Sequence, residues 1–346
     1  MRANTSERGP QVYENWHAFI RKEELRGVSE FPLYSDARVT GQVTDRPYMF
    51  FNPVAHDKQP GFFRPTIYVR VEQHLKFDIP DMSKTDTTSF HGGTLIDEIG
   101  ALVSLALGIR IRAGGMSRYF DVNGDPRGIA VEWTKQPQFL FIDYRNLVVA
   151  NAASERALSL LAPLQRIPRM SPDDANALVK AARSYQKALL LAEDDPSMSW
   201  LLFVAAIEKA ALQWKMKAAK KKLKLGDSKK FTEFVLDYLP DPSHIRPPDL
   251  AQVSWKIEDL RRSFTKIYEH RSKALHEATP FPQPMCDPPF RERKLPGVRY
   301  EKPFGLAQSS PGGTWVAKDL PMYLNTFEYI VRNALLKWWS GLGESS

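Results

Sequence analysis

Tyr268-Glu269-His270-Arg271-Ser272-Lys273-Ala274-Leu275-His276 is the stretch whose reading decides the second half of the chain. Apolar residues recur before and within it, at Val253, Ile257, Leu260, Phe264, Ile267, Tyr268 and Leu275. That is the spacing of one face of an α-helix, expected over 253–278. Arg271 falls in the middle of that face. An unpaired buried charge is very costly, so the guanidinium there needs a partner or a purpose. His276 follows five residues later, about 140° further round the helix and about 7.5 Å along its axis. Side chains lean toward the helix N-terminus, so Arg271 leans away from His276. The two meet one substrate easily only if the helix ends locally or a second copy of the helix faces the first. Thr279-Pro280 favours a local end, because proline biases its predecessor out of helix. His276 then lies in the last turn, where the helix dipole favours the imidazolium. An Arg beside a proton-transferring His suits an anionic phosphorus centre.

Arg271-Ser272 followed by His276, preceded by Tyr268, lies on the penultimate long helix of a helical region. A helix of the type Ser199-Trp200-Leu201-Leu202-Phe203 to Glu208 lies upstream. In these features the chain resembles the HEPN superfamily in its Apea-like branch, over roughly 172–339. The resemblance implies a small helical bundle and a metal-independent endoribonuclease that needs no cofactor. It also implies a homodimer whose Arg and His pairs line one cleft. Glu208 stands where HEPN helices often carry an acid; it either pairs with Arg271 or faces solvent. Ser272 and Tyr268 are supporting candidates that orient a phosphate, although Tyr268 lies on the apolar stripe and suits packing.

The chain has 346 residues, enough for two domains with sizeable cores. Its net charge is +8 and its pI about 9.3, a balance that favours polyanionic partners and is equally that of a plain basic protein. Cys286 is the only cysteine, which rules out an internal disulfide and points to a reducing cytoplasm. The first residues are polar, unlike a secretory signal, and no apolar run reaches the ~20 residues of a membrane span. No His, Cys, Asp or Glu cluster has metal-site spacing, and no Gly-x-Ser-x-Gly elbow occurs.

Residues 1–167 read as an α+β domain of unknown role, a candidate sensor or regulatory domain. Residues 1–36 read as polar and loose, apart from a short helix at 16–24. Strands are expected at 48–51, 66–77, 109–112, 128–133 and 139–142. A helix is expected over 94–107, with Asp97 and Glu98 in its first turn and Gly108 at its end. Gly114-Gly115 near Arg118 lacks the Lys-Ser/Thr of a phosphate loop and reads as a plain turn. His91 reads as structural.

Residues 168–346 read as the all-α, HEPN-like bundle. Ser171-Pro172 and Asp195-Pro196 open helices. Between Lys215 and Lys230 lie eight lysines, among them Lys220, Lys221, Lys222 and Lys224, with only Asp227 opposing. Such a run is either a solvated face or an RNA-backbone contact that reads no sequence. Trp214 beside it suits a core position better than a base-stacking one. The long irregular stretch 280–319 follows His276, where it would wall a cleft and bring Arg291, Arg293 and Lys294 toward substrate. The last helix, 320–338, carries a stripe at Leu324, Phe327, Val331, Leu335 and Trp338.

Two function classes stand at this point. One is an RNA-cleaving enzyme that uses Arg271 and His276, with a toxin or antiphage role, and an antitoxin or regulatory partner, suggested by family analogy. The other is a non-catalytic RNA-binding or dimerising module in which Arg271 is tied to Glu208 and His276 caps its helix.

Overall fold

The structure is a computed structural model that describes residues 8–52, 63–76, 83–122, 124–131, 137, 146–218, 226–304 and 308–343, the side chains of 215–218 and 308 apart. It has an N-terminal region built on β-strands and a mostly helical C-terminal region. The elements run α1 (Gln11–Ile20), β1 (Gly27–Ser35), β2 (Val39–Thr40), β3 (Gln42–Asp45), β4 (Tyr48–Phe51), β5 (Arg64–Gln73), α2 (Leu95–Leu107), β6 (Arg112–Ala113), β7 (Arg118–Phe120) and β8 (Ile129–Ala130). They continue with β9 (Arg156–Ala157), a 3-10 segment (Leu158–Arg169), α3 (Pro172–Leu191), α4 (Pro196–Ala218), α5 (Asp227–Asp237), α6 (Ile257–His276), α7 (Gln283–Cys286), β10 (Gln308–Ser310), β11 (Gly313–Trp315) and α8 (Leu324–Ser340).

Two compact units emerge. The first comprises Met1–Phe141, Ala152–Gln186 and Trp339–Ser346; the second comprises Ile142–Asn151 and Lys187–Trp338. The expected boundary at 167/168 falls inside a span of the first unit, and α3 passes from one unit to the other at Gln186.

In the first unit the sheet order is β3-β4-β5-β1-β7-β8, with β6 also on β1, and every pairing is antiparallel. β5 turns Ile67, Val69 and Val71 into the core, the alternation that marked it as a strand. The centre of the sheet is β1, in a stretch expected to be loose. Its sequence Gly-Val-Ser-Glu-Phe-Pro-Leu-Tyr-Ser hides the pattern because buried Glu30 is neutralised by Arg70 of β5. The strand expected at 109–112 begins only at Arg112. Ile109 and Ile111 are buried, and between them Arg110 is buried in an ion pair with Asp36, 2.7 Å away.

Helix α2 starts and stops as its sequence directs: Thr94 and Asp97 form a capping box, and Gly108 closes the helix in the left-handed region at φ +66°. Gly114 donates its amide to the Pro32 carbonyl, 2.8 Å away, and a Cβ there would lie 2.7 Å from the Tyr34 ring, so this glycine serves close packing against β1. His91 donates to buried Glu98 at 2.7 Å, a structural role. The strand expected at 139–142 lies outside the described residues.

The second unit is a helical assembly around an aromatic core. Trp200 stacks on Phe281 and on Phe327, at ring distances of 5.2 and 4.6 Å, and donates to the Met285 carbonyl. Phe231 of α5 packs on Phe264 and Tyr268 of α6. The α8 stripe Leu324, Phe327, Val331, Leu335 and Trp338 is buried throughout. Trp214 meets Phe234 edge-on at 6.1 Å, a packing role. The 280–319 stretch carries α7 and the β10–β11 hairpin and buries Phe281, Met285 and Val298. No described helix is long and apolar enough to cross a membrane.

Candidate functional site

The decisive helix is shorter than its periodicity. α6 begins at Ile257, after Ser254 has accepted its place as a turn residue by donating to Asp259 at 2.6 Å. Val253 is buried but lies outside the helix, and Ile257 is exposed. The face that α6 buries runs through Leu260, Phe264 and Ile267, and Arg271 is next on it. One turn on, the same face is open to solvent: Leu275 is 52% exposed. The expected apolar continuation through Leu275 is therefore not covered by the described residues.

Arg271 keeps its charge in this position because Glu208 comes to it from α4. Its Nη2 donates to Glu208 Oε2 at 2.8 Å, and Tyr268 Oη donates to Glu208 Oε1 at 2.9 Å. The guanidinium also lies over the Tyr268 ring, 5.2 Å from its centre. Side-chain exposures of 21% for Arg271 and 22% for Glu208 put the pair at the edge of the core, reachable from water. Burial, then the hydrogen bond to Glu208 and the charge of Glu208, push the Tyr268 phenol up to about 12. Tyr268 is thus a neutral donor at physiological pH. It shares in packing and in the polar cluster, and Glu208 is a partner of Arg271 rather than a free surface acid.

His276 is the last residue of α6 and is exposed. It makes no side-chain hydrogen bond or ion pair with any described residue. The helix ends just after it, as Thr279-Pro280 requires. Ala278 adopts the left-handed region at φ +53°, and the Thr279 amide donates back to Lys273 O. Ser272 lies on the i, i+4 ridge between Tyr268 and His276 and is half-buried. Arg271 and His276 remain about 140° apart around one unbroken helix.

A residue the sequence reading passed over, His270, donates Nε2 to the Asp319 carbonyl at 2.9 Å, and burial pushes its imidazole below the ordinary value. It ties α6 to the end of the 280–319 stretch. The wall expected of that stretch stands along an earlier part of α6. An open cleft of about 630 Å³ there is lined by Arg262, Lys266, Lys302, Lys318 and the acids Asp259 and Asp319. Arg262 is paired with Asp259, and Lys266 with Glu269 and Asp319. Lys302 and Lys318 have no ion-pair partner among the described residues. Arg293 and Lys294 are exposed, as is Arg291.

Lys220, Lys221, Lys222 and Lys224 lie outside the described residues. The chain leaves their run into α5 at Asp227, whose charge acts on the Tyr268 phenol. Among the described residues no group of three or more His, Cys, Asp or Glu could hold a metal ion. Cys286 is buried, which pushes its thiol up to about 12 and makes it a poor nucleophile. No family model, no curated protein and no solved structure matches the chain.

Proposed function

We propose that the second unit is a HEPN-type endoribonuclease domain that cleaves RNA without a metal ion and works as a homodimer. The observation that carries this reading is the end of α6. There a half-buried guanidinium is held in a fixed orientation, and an unengaged imidazole stands about one and a half turns further on, in water. In the reaction the ribose 2′-oxygen attacks the adjacent phosphorus while His276 takes its proton. Arg271 stabilises the extra negative charge of the phosphorane. The bond to the 5′-oxygen then breaks and the His276 imidazolium gives its proton to that oxygen, leaving a 2′,3′-cyclic phosphate and a 5′-hydroxyl. Because one helix separates the two groups, the working pair joins Arg271 of one copy to His276 of a second copy. The exposed Leu275 between them gives that contact an apolar centre. Lys302 and Lys318 beside α6, and the run holding Lys220, Lys221, Lys222 and Lys224, supply backbone attraction.

The Arg271–Glu208 ion pair also favours a second reading, in which Arg271 is a tie between helices and the unit binds RNA or dimerises without cleaving it. One assay separates the two. The full chain is incubated with mixed-sequence RNA in EDTA, and the product ends are mapped. On the first reading cleavage proceeds in chelator with cyclic-phosphate ends. Both Arg271→Ala and His276→Ala then lower its rate by at least about 100-fold, the scale of a lost acid–base or charge-stabilising group. RNA bound but left intact by the wild type supports the binding module. A toxin or antiphage role is a further part of this proposal. It requires that expression arrest growth and that His276→Ala relieve the arrest.

A further inference from the structure

The second unit holds a cavity that neither the Arg271–His276 pair nor the α6 cleft explains. About 90 Å³ in volume, it is lined by Arg299, Asn325, Trp255, Tyr300, Tyr329 and Glu301, among others. That is room for several water molecules or for one polyatomic anion. Trp255 precedes α6, whose 20 residues span about 30 Å, so the cavity and His276 lie toward opposite ends of that helix.

The charges around the cavity are unequally satisfied. Glu301, the lining acid, is fully engaged: Arg246 Nε donates to Oε1 at 2.8 Å, Arg246 Nη2 and the Val253 amide donate to Oε2, and the same guanidinium lies over Trp255. Its charge is neutralised in place. Arg299 has no such partner. Its guanidinium is half-buried, yet it donates no hydrogen bond and joins no ion pair among the described residues. Burial, then the charge of Arg291, push it below the ordinary value. Glu193 acts on it more weakly, its two oxygens being taken by the Val148 and Val149 amides at 2.7 and 3.1 Å. A second donor is also unclaimed. Asn325 uses its Oδ1 to accept from the Ala150 amide, which leaves its amide nitrogen without a described acceptor.

A half-buried guanidinium with five N–H donors and no acceptor is a cost to folding unless something anionic completes it. We propose that this cavity binds the oxyanion group of a small ligand, a phosphate or carboxylate. Arg299 is its charge partner, the Asn325 amide is a second donor, and the Trp255 and Tyr300 rings border the rest of the molecule. The planar fork of Arg299 suits two oxygens of one anion.

Calorimetric titration of the full chain with inorganic phosphate, acetate, AMP and adenosine tests this. Saturable binding of at least one of the three anions is expected, with none by adenosine. Phosphate and AMP together without acetate would identify the phosphate source, and acetate alone the carboxylate source. Arg299→Gln weakens binding by at least about tenfold, and Arg299→Lys by less, since a lysine keeps the charge and loses the fork. Lys22→Gln, at an exposed lysine of the first unit, leaves binding unchanged. Without ligand, Arg299→Gln melts no lower than wild type, because the guanidinium it removes was unpaired. Four results overturn the proposal: no binding of any anion by the wild type, equal binding by adenosine, binding that survives Arg299→Gln, or binding lost in Lys22→Gln. An Arg299→Gln protein that fails to fold overturns the unpaired guanidinium itself, and Arg299→Lys then reports on the anion. RNA cleavage is read separately and bears on none of these outcomes.

Discussion

At the scale of single residues, the Glu208 carboxylate decides what Arg271 and Tyr268 are able to do. Each of its oxygens accepts from one of them, so the three side chains hold one another in register across α4 and α6. A guanidinium with one nitrogen committed to Glu208 still has donors to offer a phosphate. In the proposed reaction its fixed orientation would spare the entropy of positioning a long side chain. Burial, and after it the same carboxylate, makes Tyr268 reluctant to ionise, and this has a measurable consequence. Its phenol titrates near 12 in the folded chain, above the ordinary value of 10.0 that it regains on unfolding. The folded state therefore holds this proton more tightly. The associated stability is fully present below pH 10 and declines as pH rises from there toward 12. Melting temperatures of wild type and Tyr268→Phe, compared across that window, should converge with rising pH as the wild type loses this component. Glu208→Gln removes two of the causes that raise the phenol, so the decline should still begin near pH 10 but end sooner and be smaller. A difference between wild type and Tyr268→Phe that stays constant from pH 9 to 12 would count against the linkage.

At the scale of the element, α6 shows what a sequence pattern reveals and what it conceals. The buried stripe Leu260, Phe264 and Ile267, the ending near Pro280 and the place of Arg271 on the apolar face were all legible, because periodicity and proline stereochemistry are local. The first turn was not: Val253 and Ile257 fit the helical period, yet Val253 is buried as irregular chain, a choice made by the Glu301 carboxylate that accepts its amide. β1 was illegible for a similar reason, since Glu30 breaks its alternation and only Arg70, forty residues away, restores neutrality. Its tertiary surroundings were likewise required to read Arg299, which appears in the sequence as one surface arginine among many. At the other end of α6, Ala278 stands at φ +53°, a conformation in which a Cβ is disfavoured and glycine is at ease. Ala278→Gly should therefore stabilise the second unit by about 0.5–1 kcal/mol, offset in part by the greater freedom of glycine in the unfolded chain. Chemical denaturation followed by tryptophan fluorescence measures this. A loss of stability would mean that the left-handed turn after His276 is held by something other than backbone preference.

At the scale of the whole molecule, the proposed cleavage raises the question of how many copies one reaction would need. A net charge of +8 favours polyanions in general, but attraction alone would not align a proton acceptor with the phosphorane of the proposed reaction. Alignment is a matter of geometry. On one straight helix, positions five apart face about 140° away from each other, and Glu208 holds the guanidinium by one nitrogen. A two-fold contact between the ends of two α6 helices removes the difficulty, because self-complementary interfaces set each residue near the other copy's counterpart. The consequence can be tested with two inactive proteins. Arg271→Ala and His276→Ala are mixed at equal concentration, unfolded and refolded together, and assayed for RNA cleavage. Half of the dimers formed at random combine one of each. In every such dimer one composite site has lost both groups while the other keeps an intact Arg271 and an intact His276. The mixture should regain about a quarter of wild-type activity, half the dimers each carrying one of two sites. If Arg271 and His276 instead serve one site within a chain, every chain in the mixture lacks one of them, and the activity stays at the level of the separate variants.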